Sequence, residues 1–178
     1  MLKSLLLKSR ILVKEELLNL GWILHYLHTF RRLIMDNSFS LFLNTFLDAW
    51  KTSSIGDLKE FISPEYNARE ITDGNIVDFG YKESINGWEQ GFNFAKEKNA
   101  QWNIKVESIL PLREDETMAI LLATLVIQGK SLETANLFFY TFKKSNSDWK
   151  LVRSYIEAGV NKNILYSSKR ELLQYQGL

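Results

Sequence analysis

The chain contains 178 residues, a length that fits one domain with short appendages. Hydrophobic residues make up 46% and charged residues 24%, as in an ordinary globular protein, and a net charge of +1 gives no reason to expect a nucleic-acid partner. The absence of cysteine excludes disulfides, thiolate nucleophiles and cysteine-bearing zinc sites, and it suits a cytoplasmic protein. Both histidines precede residue 35, and no metal- or phosphate-binding motif follows, so we expect no metal and no cofactor.

The first 34 residues differ in composition from the rest of the chain. They hold six basic residues against two acids, whereas the remainder is slightly acidic. Charged residues interrupt every stretch of about 20 residues, the length needed to cross a bilayer, so we expect no stable membrane span. Two interpretations of this N-terminal extension (1–34) stay open. It is a native amphipathic helix, or it is translated upstream sequence before a natural start at Met35, because Arg31-Arg32 can be encoded by the ribosome-binding sequence AGGAGG.

Apolar spacing predicts three helices in the first half of the body. Large apolar residues recur every three or four positions in a first helix over about 38–53. A short second helix follows Gly56, and a third covers about 84–98. Gly87 and Gly91 interrupt the third helix, and they predict a kink or close packing at that point.

The second half of the body is typical of consecutive strands. Alternating or continuously apolar segments predict four long strands near 102–112, 117–128, 132–144 and 149–159. Short turns between them indicate an antiparallel meander. A shorter strand near 66–72 precedes the third helix, and residues 161–178 form a polar C-terminal tail.

Three short segments, together with this order of helices and strands, indicate a resemblance to a known group of proteins. Phe-Leu-Asp-Ala-Trp (46–50) lies in the first helix, Gly-Trp and Gly-Phe pairs (87–92) lie in the third, and Trp-Lys-Leu-Val-Arg-Ser-Tyr (149–155) begins the last strand. Over about residues 38–160 the chain resembles the nuclear transport factor 2-like superfamily, in particular its SnoaL-like, cystatin-like bacterial members. The resemblance implies an α+β domain over 35–160, in which a curved antiparallel sheet wraps around helices as a cone with a pocket.

The resemblance leaves three functions open, because this superfamily contains both enzymes and non-catalytic domains. Many catalytic members use a histidine, which the body lacks, whereas ketosteroid isomerases use a carboxylate and a tyrosine. The first function is a small-molecule-binding domain with an apolar, aromatic-lined pocket. The second is a histidine-independent isomerase or lyase that uses carboxylate and tyrosine on a hydrophobic carbonyl compound. The third is a dimerisation module whose cone is filled by side chains.

The candidate ligand-binding residues come from the last two strands and the third helix: Arg153, Tyr155, Glu157, Asn136, Tyr140 and Trp88. Regular alternation places the three residues of the last strand on one face, and the two of the preceding strand share a face as well. Adjacent strands of a meander would bring both sets together around a hydrophobic small molecule. In the alternative interpretation, Arg153 and Glu157 form a solvated ion pair at a sheet edge or dimer face.

The strand predicted over 117–128 is apolar at almost every position, which is typical of a strand buried on both faces. One face can cover the helices, and the other then needs a partner, because a large exposed apolar patch is rare on a monomer. We therefore predict a homodimer that associates through the outer face of the sheet.

Overall fold

A computed structural model of the protein describes residues 37–146 and 148–165, and the chain divides into two compact units, Met1–Leu43 and Asn44–Leu178. The predicted N-terminal extension and most of the predicted C-terminal tail therefore lie outside the described residues. Within the described ranges, no helix is both long and apolar enough to cross a membrane.

The helices are α1 (37–51), α2 (Ile55–Glu60), α3 (Tyr81–Glu97) and a short α4 (162–165). The first three lie where apolar spacing predicts them, although α3 begins three residues earlier than expected. It begins there because the Glu83 carboxylate accepts the Gly80 N–H at 3.2 Å, which satisfies a backbone donor at the helix start. Beyond its end, Asn99 adopts a left-handed conformation with φ 48°, which turns the chain into the next strand.

Seven strands form one curved, unclosed sheet: β1 (Ile62–Thr72), β2 (Asn75–Gly80), β3 (Gln101–Arg113), β4 (Glu116–Ile127), β5 (Lys130–Ser131), β6 (Thr134–Ser145) and β7 (Asp148–Asn161). Their spatial order is β2-β1-β7-β6-β4-β3, and β5 pairs with β4. The four long strands β3, β4, β6 and β7 pair antiparallel, as the short turns between them predict. The α+β fold expected from the sequence is thereby confirmed.

One strand pair differs from the expected antiparallel sheet. Strand β1 pairs parallel to β7, so the sheet is mixed. The two strands lie at opposite ends of the domain sequence, and no tight turn forces them to run in opposite directions. Strand β1 also begins earlier than predicted and includes Pro64, which lies in a register break between Ile62 and Asn67. A proline is tolerated at such a break because its missing N–H interrupts no regular ladder.

The inner face of the sheet, which carries Ala119, Leu121, Tyr140, Phe142 and Leu151, packs against helical side chains and forms the core. All five residues are almost completely buried. From α1, the ring of Phe46 lies edge-on at 5.4 Å from Phe142 and at 6.0 Å from Tyr140. Such edge-to-face aromatic pairs add to the free energy of burial and fix the helix against the sheet.

A β-bulge at Val152 divides strand β7 into two halves. Leu151 pairs with Phe142 and Arg153 pairs with Thr141, so Val152 is an extra residue without a partner on β6. The extra residue shifts the alternation by one position. Before the bulge the odd-numbered Leu151 faces inward, whereas after it the even-numbered Ser154 is buried. The outer face of the sheet, opposite the inner one, therefore carries Arg153.

Candidate functional site

A cavity of about 510 Å³ lies between helix α3 and the inner face of the sheet. Six aromatic residues contribute to its wall: Tyr66, Phe79, Trp88, Trp102, Phe138 and Tyr140. Polar groups line it as well: Glu70, Asp78, Glu83, Ser84 and Asn136. Volume and composition are those of a typical small-molecule site, in which a mostly apolar wall carries a few polar groups.

Two strands and a helix bring together a group of three hydroxyls, of which those of Tyr66 and Ser84 belong to residues that line the cavity. The Tyr66 hydroxyl donates to Ser154 Oγ at 2.7 Å, and it also interacts with the Ser84 hydroxyl from α3. All three residues are buried. Burial raises the pKa of Tyr66 to about 12, with a further contribution from Glu70, although the two serine hydroxyls oppose the rise. The phenol is therefore neutral at physiological pH and can donate or accept a hydrogen bond.

The second phenol, Tyr140, also lines the cavity, and its side chain is 1% exposed. Burial raises its pKa well above the usual range, and the neighbouring Tyr66 and Glu70 add to the rise. No hydrogen bond connects the Tyr140 hydroxyl to any other residue in the described ranges. A hydroxyl that lines a cavity without a partner among the described residues can bind a ligand or a water molecule.

The charges at the cavity wall are negative. Among the described residues, no lysine, arginine or histidine lines it. Asp78 is paired with Arg69, whose guanidinium donates to both carboxylate oxygens at 2.7 Å and lowers the pKa of Asp78. Glu83 accepts a hydrogen bond at the start of α3. Glu70 is half-buried and accepts a hydrogen bond only from the neutral Thr72 hydroxyl, at 2.9 Å, among the residues that the structure describes.

Helix α3 faces the cavity with three small residues and one tryptophan. Ser84, Gly87, Trp88 and Gly91 all line it, at the three- and four-residue spacing of one helix face. A Cβ atom built on Gly87 or Gly91 would meet no atom within 4 Å. The close packing predicted from these glycines is therefore absent at their Cβ positions, and their small size instead leaves the cavity open; the alternative prediction of a kink stays a prediction.

Three of the sequence-predicted site residues lie at this cavity: Asn136, Tyr140 and Trp88. The Asn136 amide oxygen accepts the Gly159 N–H at 2.9 Å, which holds the side chain against strand β7. The Trp88 ring stands edge-on at 4.6 Å from the buried ring of Trp50. Their predicted role in ligand binding stays a prediction.

The other three predicted residues, Arg153, Tyr155 and Glu157, lie on the outer face, so the single surface expected from strict alternation does not form. The bulge at Val152 is the physical reason, because it reverses which residues of β7 face inward. Arg153 contacts the buried Glu116 carboxylate at 3.3 Å. The Tyr155 hydroxyl donates to Glu157 Oε1 at 2.5 Å, and this hydrogen bond raises the pKa of Tyr155. The predicted pair of Arg153 with Glu157 is replaced by these two contacts.

Sequence reasoning did not select Tyr66, Ser84 and Trp102 as site residues. A signal for Tyr66 was present in the alternation of Tyr66, Ala68 and Glu70 along β1, which places all three on one face. A signal for Ser84 was present in helix α3, where Ser84, Gly87 and Gly91 are small residues at three- and four-residue spacing. Within the described ranges, no group of three or more histidine, cysteine, aspartate or glutamate side chains is arranged to hold a metal ion.

No family model and no curated protein sequence matches the chain. Solved structures do. A domain of unknown function with a cystatin-like fold from Nostoc punctiforme is 12% identical, with a TM-score of 0.56 over 80% of this chain and 94% of that one. A nuclear transport factor 2-like protein of unknown function from Shewanella oneidensis is 13% identical, with a TM-score of 0.54 over 68% and 98%.

A third similar structure, a nuclear transport factor 2-like protein of unknown function from Pseudomonas putida, is 8% identical, with a TM-score of 0.55 over 70% of this chain and 87% of that one. At such low identity the likeness concerns the fold alone. The chain has the nuclear transport factor 2-like, cystatin-like fold that its sequence resembles, and its function has to be argued from its own residues.

Proposed function

We propose that the protein is a small-molecule-binding domain whose ligand occupies the aromatic-lined cavity beside α3. The observation that carries this proposal is the cavity of about 510 Å³, whose wall contains six aromatic residues, among them Tyr140, whose hydroxyl has no hydrogen-bond partner in the described part of the chain. Large aromatic surfaces facing a void gain free energy when an apolar ligand displaces water from them. The open space beside Gly91 supports the same function, because a larger residue there would fill the cavity.

The other two functions have different support. A dimerisation module with a filled cone does not need a cavity of this size. An isomerase or lyase is favoured by one observation, namely that Tyr140 and Glu70 line the same cavity and interact electrostatically. Such an enzyme would use Glu70 as a base and a phenol as a hydrogen-bond donor to the carbonyl oxygen. Exchange of α-protons of a bound ketone for deuterium in D₂O would identify it.

The test of the binding function is a variant that fills the cavity without loss of stability. Gly91→Leu places a side chain into open space and replaces a helical glycine, which favours the helix by up to about 1 kcal/mol. We expect it to abolish binding of N-phenylnaphthylamine, an uncharged fluorescent probe, while the melting temperature stays the same or rises.

Gly56→Leu is the matched control, because Gly56 lies in α2, away from the cavity, and its Cβ would also meet no atom within 4 Å. It should bind the probe as the unmodified protein does. Unchanged binding by Gly91→Leu, or no binding by the unmodified protein, would contradict the proposed function. Native mass spectrometry of protein from its host then identifies a co-purifying ligand.

The assembly proposed for this domain is a homodimer through the outer face of the sheet. That face carries half-buried apolar side chains from neighbouring strands, among them Ile120, Leu137 and Phe139, and Tyr155 is 37% exposed beside Phe139. A second copy would remove this apolar surface from water. Sedimentation at micromolar concentration should give the dimer mass, and a monomer mass would refute the assembly.

The cysteine-free composition supports a reducing compartment, and we propose that the protein is located in the cytoplasm.

A further inference from the structure

We infer that the ligand of this cavity is an amphipathic organic cation, such as a protonated amine with an apolar body, bound against Glu70 and the aromatic wall. This inference rests on the proposed function, because it names the chemical class of the ligand in the same cavity. It goes beyond that function by assigning the ligand a charge and by giving Glu70 and Tyr140 distinct roles.

The first argument is the charge of the wall. Three acidic residues contribute to the cavity wall and, within the described ranges, no lysine, arginine or histidine does. The Asp78 carboxylate is paired with Arg69 on the outer face, and Glu83 is exposed to solvent and accepts a backbone hydrogen bond at the start of α3. Glu70 remains as a half-buried carboxylate whose hydrogen bond comes from the uncharged Thr72 hydroxyl. A partly buried carboxylate is stabilised most by a counter-charge, which a cationic ligand would supply.

The second argument is the negative electrostatic potential inside the cavity. The negative charge of Glu70 contributes to the raised pKa of both Tyr66 and Tyr140. Its electrostatic potential therefore reaches both phenol hydroxyls at the cavity wall. A cleft with one sign of charge and low-dielectric walls concentrates ligands of the opposite sign. The same potential repels a carboxylate or phosphate ligand.

The third argument is the aromatic lining. Trp88, Trp102 and Phe138 lie around the buried ring of Trp50, with ring centroids between 4.6 and 6.0 Å from it. Aromatic faces attract an ammonium group through their quadrupole, and tryptophan does so most strongly. The apolar body of an amphipathic amine would contact the same rings, whereas a small hydrated cation would leave them in contact with water.

The fourth argument is the Tyr140 hydroxyl. It belongs to an almost completely buried residue, lines the cavity and has no hydrogen-bond partner among the described residues. A neutral phenol oxygen accepts a hydrogen bond from an N–H group, so a protonated primary, secondary or tertiary amine satisfies it while its charge lies near Glu70. A quaternary ammonium group, which has no N–H, would leave Tyr140 unsatisfied. The geometry therefore favours an amine that carries at least one proton.

The test uses three probes with one carbon skeleton and different charges: phenylbutylamine, phenylbutanol and phenylbutyrate. Calorimetric titration of the full chain at pH 7 should show the amine binding about tenfold more tightly than the alcohol, with the anion weakest. This ranking needs no variant. Equal or tighter binding of the alcohol or the anion would overturn the inference and leave the proposed function standing, whereas no binding by any probe would overturn both.

Three variants then test whether Glu70 is the carboxylate that binds the charged amine and whether Tyr140 accepts its hydrogen bond. Glu70→Gln should weaken amine binding about tenfold and leave alcohol binding unchanged, because only the charged ligand loses a counter-ion. Glu65→Gln is the matched control, since it removes one exposed carboxylate from the same strand without touching the cavity wall. An equal loss of amine binding in both variants would show a nonspecific effect of net charge and would overturn the role of Glu70. Tyr140→Phe should weaken the amine and leave a trimethylammonium analogue unaffected.

Discussion

The two faces of the sheet are built from the same strands, yet they differ in whether their charged side chains have oppositely charged partners. On the outer face each described arginine of β1 and β7 contacts a carboxylate, Arg69 with Asp78 and Arg153 with Glu116. On the inner face, Glu70 has a neutral hydrogen-bond donor and no cationic partner among the described residues. The two outer-face arginines are therefore compensated by carboxylates of the protein, whereas on the inner face the Glu70 carboxylate is left for a ligand to compensate.

The division between the faces depends on one extra residue. Without the bulge at Val152, regular alternation would place Arg153 on the inner face, beside Tyr140 of the neighbouring strand. With it, Ser154 occupies that position and accepts the hydrogen bond of Tyr66. A single residue in the strand thus keeps a cation out of the cavity and leaves the carboxylate there without a charged partner.

The largest expected effect comes from two single-residue deletions that remove this bulge in different ways. Deletion of Val152 restores a regular strand with Ser154 still facing inward, and we expect a folded protein of reduced stability. Deletion of Ser154 also restores a regular strand, but Arg153 then faces inward, where a charged side chain costs several kcal/mol. We expect this variant to lose its folded state, as measured by circular dichroism and urea unfolding. Similar stability of the two deletions would refute the role assigned to the bulge.

The next largest effect is the difference in stability lost when either of two phenylalanines on opposite faces of strand β6 is replaced by alanine. Phe142 on the inner face is completely buried, whereas Phe139 on the outer face is half-buried against Tyr155. Phe142→Ala should lower the free energy of unfolding by about 3–5 kcal/mol, because it leaves a cavity in the core. Phe139→Ala should cost about 1 kcal/mol at concentrations at which the protein is monomeric. Equal losses in urea unfolding would show that the two faces are buried alike.

A smaller effect should appear as a pH dependence of stability. The pKa of Tyr66 is about 12 in the folded protein and about 10 in the unfolded chain, so the folded state holds the phenol proton more tightly. The stabilisation is complete below pH 10 and is lost as the pH rises towards 12. At pH 11 the loss from Tyr66 alone is about 1.4 kcal/mol.

Tyr66→Phe is the control for this pH dependence, since it keeps the ring and removes the titrating group. Its urea midpoint should fall less between pH 9 and pH 11 than that of the unmodified protein. The remaining fall reports on other groups, including Tyr140, whose pKa is raised in the same direction. Identical falls in both proteins would contradict the assignment to Tyr66.

The smallest effect concerns the outer-face carboxylate. Glu116 is buried, and its two oxygens contact Arg113 at 3.0 Å and Arg153 at 3.3 Å. Both guanidinium groups are largely exposed, so they stay hydrated when the carboxylate is removed, and Glu116→Gln should cost about 1 kcal/mol or less. Arg153→Leu should cost less still and leave probe binding in the cavity unchanged. Loss of binding in Arg153→Leu would show that this arginine contacts the ligand after all.

Much of the fold could be predicted from local sequence, and three of the six residues predicted for the site line the cavity. Helix α3 and strands β3, β4, β6 and β7 follow from spacing and turns, because these patterns depend on residues close together in the chain. Asn136, Tyr140 and Trp88 were found by the same periodicity. The inward position assigned to Arg153 and Tyr155 was wrong, because strict alternation assumes a strand without a bulge, and no turn residue marks Val152.

What the sequence by itself determined is the first three helices and the four long strands, with the buried face of each element whose alternation no bulge interrupts. Only the tertiary structure decided which distant groups meet: the parallel pairing of β1 with β7 brings Tyr66 to Ser154, 88 residues apart, and Glu70 alongside Ile156. Helical and strand periods arise from interactions within a few residues, so they can be read locally. A bulge or a parallel pairing is stabilised by contacts between remote segments, and those contacts exist only once the chain has folded.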